Sequence, residues 1–172
     1  MFKRTIKLRI HNPKCDPRKR KFGNMTDLCI NGDHTFSAPR SNKQDNIITF
    51  NNGRIGLGIS MTLPKWYEAR ILPRSSTYGK WDCILSNGQG VIEWNYCEEW
   101  KAHLIPFDDI YIPDGTPILQ YEVKLLPDAP TYMKIWDLFI SGFKYKVVDV
   151  LTTTRGGFGS TDNLTQNLLI CT

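Results

Sequence analysis

The chain has 172 residues, 41% of them hydrophobic, enough for one well-buried core and short for two domains. No run of about 18 apolar residues occurs, which excludes a membrane-spanning helix, and the opening MFKRTIKLRI lacks the apolar centre of a secretory signal. The net charge of +5 is concentrated at the start: residues 1–21 hold nine Lys or Arg and one Asp, so the other 151 residues sum to −3.

The first element, TIKLRI at 5–10, alternates apolar and polar, with Ile6, Leu8 and Ile10 on one face, and predicts a strand. PKCDPRKRK follows at 13–21. No aromatic interleaves with it before Phe22, so it reads as a solvated strand end or loop and no nucleic-acid partner is expected. NIITF (46–50) is a short strand signal, and RIGLGISMTL (54–63) aligns Ile55, Leu57, Ile59, Met61 and Leu63 on one face. YEARIL, WDCIL and WKAHLIPF add further short strands bounded by Pro, Gly, Asn or Asp. ILQYEVKL (118–125) sets Ile118, Gln120 and Glu122 against Leu119, Tyr121 and Val123, TYMKIWDLF (131–139) has room for one or two helical turns, and YKVVDVL is a last strand. The prevailing period of two with regular turn signals predicts one all-β domain, a sandwich or jelly roll.

Five cysteines (Cys15, Cys29, Cys83, Cys97, Cys171) are widely spaced, with no CxxC and no clustering with His11, His34 or His103. Neither a zinc site nor a disulfide framework is expected, and the reading is a cytoplasmic protein.

Near the end lies TTTRGGFGSTDN, residues 152–163. Its glycines free backbone N–H groups to turn toward an anion, Ser160 and Thr161 add hydroxyls, Arg155 adds a bidentate charge, and Phe158 can stack on a base. The same composition also occurs in slack termini. A phosphate-binding reading therefore needs the rest of a site upstream. Four stretches supply candidates: GNMTDLCI with Asp27, LPRSSTYG with Arg74, Ser75 and Ser76, LSNGQGVIEWNYCEEWK, and DGTPILQ ending in Gln120. Taken singly, Asn87-Gly88 is a turn dipeptide, Tyr96 a core aromatic, and Asp27 and Glu93 ordinary acids at strand ends.

Together, in this order over residues 27–161, these stretches resemble the five motifs of the trimeric dUTPase family, phage and prophage members above all. Gly90-Val91-Ile92-Glu93-Trp94-Asn95-Tyr96 is similar to the family's Gly-Val-Ile-Asp-x-x-Tyr, and Pro73-Arg74-Ser75-Ser76 matches its second motif. Gly115-Thr116-Pro117-Ile118-Leu119-Gln120 matches Gly-x-x-Ile-x-Gln, and Gly157-Phe158-Gly159-Ser160-Thr161 matches the arm. The resemblance implies a distorted jelly roll, residues 1–151, with a flexible glycine-rich arm, 152–172, closing over the nucleotide. It also implies a homotrimer that hydrolyses dUTP to dUMP and pyrophosphate, with Mg2+ carried in on the triphosphate. A phage-encoded member would work in the bacterial host cytoplasm.

By the same resemblance, Glu93 is the general base and Arg74 orients it. Arg74, Ser75, Ser76 and Gln120 hold phosphates, joined by Arg155, Gly159, Ser160 and Thr161. Asn87, with Gly90, Val91 and Ile92 on a hairpin, reads the uracil edge. Tyr96 packs under the deoxyribose, Phe158 stacks on the ring, Lys101 adds a contact, and Asp27 holds a water on the metal. The physical logic agrees: attack on the α-phosphorus needs a carboxylate base and cations around the phosphates.

Three departures stand out. Met25 replaces a glycine of the first motif, Glu98 replaces one after Tyr96, and Glu93 replaces the catalytic aspartate. An added methylene shifts the carboxylate by about 1 Å, and misplacement on that scale can cost roughly 100-fold in rate. Insertions at 31–46 and 127–143 have no assigned role. A regulatory nucleotide- or protein-binding member with little catalysis, and a dCTP deaminase relative, stay open as alternatives.

Overall fold

A computed structural model describes residues 2–19, 21–22, 25–42, 47–49, 53–153 and 169–171. In chain order the strands are β1 (Phe2–Ile10), β2 (Lys21–Phe22), β3 (Met25–Cys29), β4 (His34–Phe36), β5 (Arg40–Asn42), β6 (Ile47–Thr49), β7 (Gly53–Gly56), β8 (Ile59–Thr62) and β9 (Tyr67–Pro73). They continue with β10 (Cys83–Leu85), β11 (Gly90–Ile92), β12 (Lys101–Pro106), β13 (Ile110–Ile112), β14 (Pro117–Leu125), β15 (Ile140–Val147), β16 (Leu151–Thr153) and β17 (Leu169–Cys171). Helix α1 (Thr77–Trp81) links β9 to β10, and α2 (Thr131–Asp137), in the stretch expected to turn, links β14 to β15.

Three sheets form the body of the domain. The largest runs β11-β9-β14-β3-β2, antiparallel throughout. A second runs β10-β12-β7, and a third β15-β1-β8, in which β1 pairs β15 in parallel and β8 antiparallel. The result is the all-β jelly roll that the period-two pattern predicts.

The core lies between these sheets. Ile6 and Leu8 of β1, Leu28 of β3, Met61 of β8 and Ile71 of β9 are essentially sealed from solvent, and Trp100 meets Tyr121 edge-on at 5.3 Å. All five aligned residues of RIGLGISMTL are buried, but the run is two strands in different sheets. The break falls at Gly58, whose φ of 66° favours glycine. A Cβ there would stand 2.6 Å from Cys15 Sγ, so the side chain is excluded twice over. ILQYEVKL departs from strict alternation as well. A register shift between Pro117 and Leu119 lets Ile118 and Leu119 both enter the core.

Cys15, Cys29 and Cys83 are buried and not disulfide-bonded, whereas Cys97 is disulfide-bonded, which the cysteine spacing did not announce. No helix among the described residues is long and apolar enough to cross a membrane.

Candidate active site

The first cluster forms where β9, β14 and β3 end together. Antiparallel register sets Asp27 opposite Gln120 and Gln120 opposite Leu72, so these side chains share one face of the sheet. Two residues past Leu72 the chain turns, and Arg74 folds back across it. Its Nε donates to Asp27 Oδ1 at 2.9 Å, and its Nη1 donates to the Pro117 carbonyl at 3.1 Å. Gln120 Nε2 donates to the Pro73 carbonyl at 3.0 Å. The second motif is thereby clamped to the first and the fourth.

Thr77, which motif reading passed over, holds the turn from inside. It is 2% exposed. Its hydroxyl accepts from the Arg74 backbone N–H at 3.1 Å and donates to the Ile118 carbonyl, while its own N–H donates to the Arg74 carbonyl. Ser75 is exposed and Ser76 half-buried in this turn, beside a fixed guanidinium. Donors of this kind suit phosphate oxygens.

A second cluster lies beyond β11. The segment between β10 and β11 was expected to be a hairpin. It is instead a bridge between sheets, because β10 pairs with β12 and β11 pairs with β9. Gly88, at φ 67°, makes the turn, with its N–H on the Leu85 carbonyl. The sheets part there around a hollow of about 250 Å³, its open mouth included, lined by Ile71, Leu85, Asn87, Gly90, Lys101, Ala102 and His103. Its enclosed part, about 30 Å³, has room for one or two waters, so the hollow is a shallow notch against which a ligand edge can rest. Gly90 keeps it open: a Cβ there would come within 3.3 Å of Ile71.

His103 is the other residue that the motifs missed. It shares with Lys101 the outward parity of β12 and sits opposite Arg54 of β7. Arg54 Nε donates to its Nε2 at 3.2 Å, so the neutral ring carries its proton on Nδ1. Burial first, and then the Arg54 charge, hold its pKa below the ordinary 6.5.

Glu93 follows β11 and is exposed; its carbonyl accepts from Tyr96 N–H to close a turn. Tyr96 is core, 9% exposed, with its hydroxyl 3.5 Å from Glu98 and 3.4 Å from the Glu99 carbonyl. Burial, and then the Glu98 carboxylate, push its phenol far above the usual range. Val91 is exposed and Ile92 packs partly on the core.

The register separates the two clusters. Ile92 pairs with Ala69, and Pro73, the residue before Arg74, lies four residues further along β9, about 13 Å at strand spacing. Glu93 lies beyond Ile92 on the far side. Within one chain Arg74 therefore points away from Glu93, and its carboxylate partner is Asp27. Arg155, Phe158, Gly159, Ser160 and Thr161 lie outside the described residues.

No protein-family model matches the chain. It is 36% identical over 110 residues to the SPbeta prophage-derived deoxyuridine 5'-triphosphate nucleotidohydrolase of Bacillus subtilis, covering 62% of this chain and 69% of that one. It is 31% identical over 145 residues to the deoxyuridine 5'-triphosphate nucleotidohydrolase of Rickettsia bellii, covering 81% and 88%. The chain belongs to the dUTPase family. Its fold is similar to that of a Staphylococcus bacteriophage 80alpha dUTPase variant solved with dUpNHpp, with a TM-score of 0.57 at 11% identity over 73% of this chain and 92% of that one.

Within a dUTPase fold the Asp27 geometry also bears on a metal. Among the described residues no cluster of three or more His, Cys, Asp or Glu could cage an ion. Asp27 has one oxygen on Arg74 and a second with lone pairs for a water. A cation that arrives on a triphosphate and keeps most of its own waters fits such a single outer carboxylate.

Proposed function

We propose that this dUTPase-family chain hydrolyses dUTP to dUMP and pyrophosphate, in sites shared between the subunits of a homotrimer. The observation that carries the reading is the split in the register. One chain offers the notch at Ile71 and Gly90 with Glu93 beyond Ile92, while Arg74, Ser75 and Ser76 follow Pro73, four residues and about 13 Å along β9 from Ala69, the partner of Ile92. A neighbouring copy supplies the complement to each half.

In this reading the uracil edge rests over the notch at Asn87 and Gly90. The flanks Val91 and Ile92 fix the strand, and Lys101 reaches the substrate from β12. A closed fit excludes the thymine methyl by overpacking, and mismatched hydrogen bonds exclude cytosine. Tyr96, held rigid in the core, sets the floor on which the deoxyribose rests. Glu93 takes a proton from the water that attacks the α-phosphorus, in line with the departing pyrophosphate. Arg74 and Gln120, already fixed to Asp27 and Pro73, need little reorganisation as charge develops on the phosphates.

Mg2+ bound to the triphosphate would neutralise phosphate charge, with Asp27 holding one of its waters. The single β domain, 1–151, is completed by the arm, 152–172. There Phe158 covers the base, and Arg155, Gly159, Ser160 and Thr161 close on the phosphates. The setting is the cytoplasm, that of a bacterial host where the gene is a phage's.

Pyrophosphate release, measured in single turnover with a panel of dNTPs, tests the reading. dUTP alone should turn over. Turnover of dCTP with ammonia release, or binding without turnover of any dNTP, would contradict it.

A further inference from the structure

We propose that the outward face of the β15-β1-β8 sheet binds the phosphate backbone of nucleic acid, independently of the nucleotide site. These three strands hold Lys3, Arg4, Lys7, Arg9, Lys144 and Lys146 and no acidic residue. Successive side chains of a strand point to opposite faces. Ile6 and Leu8 go to the core, while Lys3, Thr5 and Lys7 are exposed. In the parallel ladder Thr5 stands beside Lys144 and Lys7 beside Lys146, and both of these lysines are exposed too. The open row ends at Lys7, since Arg9 is half-buried and its partner Ser60 is sealed. Arg4 turns inward, with its guanidinium 5.1 Å from the centre of the Tyr67 ring.

Like charges on directly paired positions destabilise a sheet, and Lys7 and Lys146 are paired on strands about 4.8 Å apart. That repulsion lies on a face that the dUTP site does not use. Cations at every second residue recur at about 6.6 Å along a strand, a spacing suited to a repeating anion. Their chemistry chooses among anions. Lysine is depleted from protein–protein interfaces, whereas its mobile point charge contacts phosphates without reading bases. A nucleic-acid backbone is therefore favoured over an acidic protein. The expectation of no nucleic-acid partner rested on the contiguous run at 13–21; this set joins two strands from opposite ends of the chain.

Fluorescence anisotropy with a mixed-sequence 20-mer DNA, single- and double-stranded, tests it on the full chain. Four phosphate contacts predict a loss of roughly 100-fold in affinity between 50 and 200 mM salt. Lys7→Gln with Lys146→Gln should weaken binding at least tenfold and flatten the salt slope by about two, with dUTP turnover unchanged and Tm equal to or slightly above the parent's as the repulsion is relieved. No binding at 50 mM salt would overturn the proposal. So would a loss that instead follows Arg18→Gln with Lys19→Gln, or equal affinity for a polyglutamate peptide of matched charge.

Discussion

Arg74 Nε donates to Asp27 Oδ1 at 2.9 Å, joining a turn after β9 to the middle of β3, 47 residues away in sequence. Both side chains are less than a third exposed, at 28% and 17%, so water screens the pair only partly. Asp27→Asn keeps the shape and removes the charge. Hydrogen bonds to charged groups contribute about 1.5–3 kcal/mol, and a destabilisation near the low end of that range is expected by urea denaturation. The kinetic effect should be larger: a raised KM for Mg-dUTP with a reduced kcat, because the guanidinium loses its anchor.

Thr77 provides a cleaner probe of positioning, since it touches no substrate in the proposed reading. Thr77→Val leaves the Ile118 carbonyl and the Arg74 N–H without their partner, at a cost of about 1–3 kcal/mol. Thr77→Ser restores the hydroxyl and should recover most of both Tm and kcat. A Thr77→Ser protein as impaired as Thr77→Val would show that the methyl, and not the hydrogen bonds, is what matters.

His103 predicts a pH effect with a definite sign. Its folded pKa lies below the ordinary 6.5, so the unfolded chain binds the proton more readily. Stability is therefore lost as pH falls through about 6.5 toward the folded value, and the loss levels off below it. His11 shifts in the same direction, with burial its largest cause. Tm measured from pH 7.5 to 5 should fall less steeply in His103→Gln than in the parent. An identical slope would mean that His103 contributes nothing to the acid response.

Much of the fold was legible in the sequence because strand periodicity and short motifs are local. Ile6, Leu8 and the five apolar residues of 54–63 read as core and are core. Asn87, Gly90 and Lys101, named from motif position, line one hollow. Non-local pairing was not legible. Nothing in PRSS says that Arg74 reaches Asp27, and nothing in HLIP says that His103 faces Arg54 across a ladder. The Gly58 break is a case between the two. The glycine is visible, but the reason for it is Cys15, packed there from a different part of the chain.

The glycine-rich arm should be needed for turnover but not for folding. Truncation before Arg155 would also remove β17, which pairs with β16, so point changes are the test: Arg155→Ala with Phe158→Ala is expected to leave Tm and oligomeric state unchanged while abolishing pyrophosphate release. A doubly substituted protein with full activity would reduce the arm to a tail.

Glu93 carries the proton transfer in this account. Glu93→Gln should retain dUTP binding, measured by calorimetry, and lose kcat by several orders of magnitude. Glu93→Asp separates two possibilities: higher activity marks a weakened site in the parent chain, and lower activity marks a pocket built around the longer acid.

The claim that the site is split between subunits is tested most directly by complementation. Glu93→Gln and Arg74→Ala proteins, each inactive alone, are unfolded together in equal amounts and refolded. If Glu93 of one subunit works with Arg74 of another, random mixed trimers restore about a quarter of the parent's sites, and hydrolysis returns to that level. A mixture that stays as inactive as its components would place both residues in the same chain's site and contradict the account.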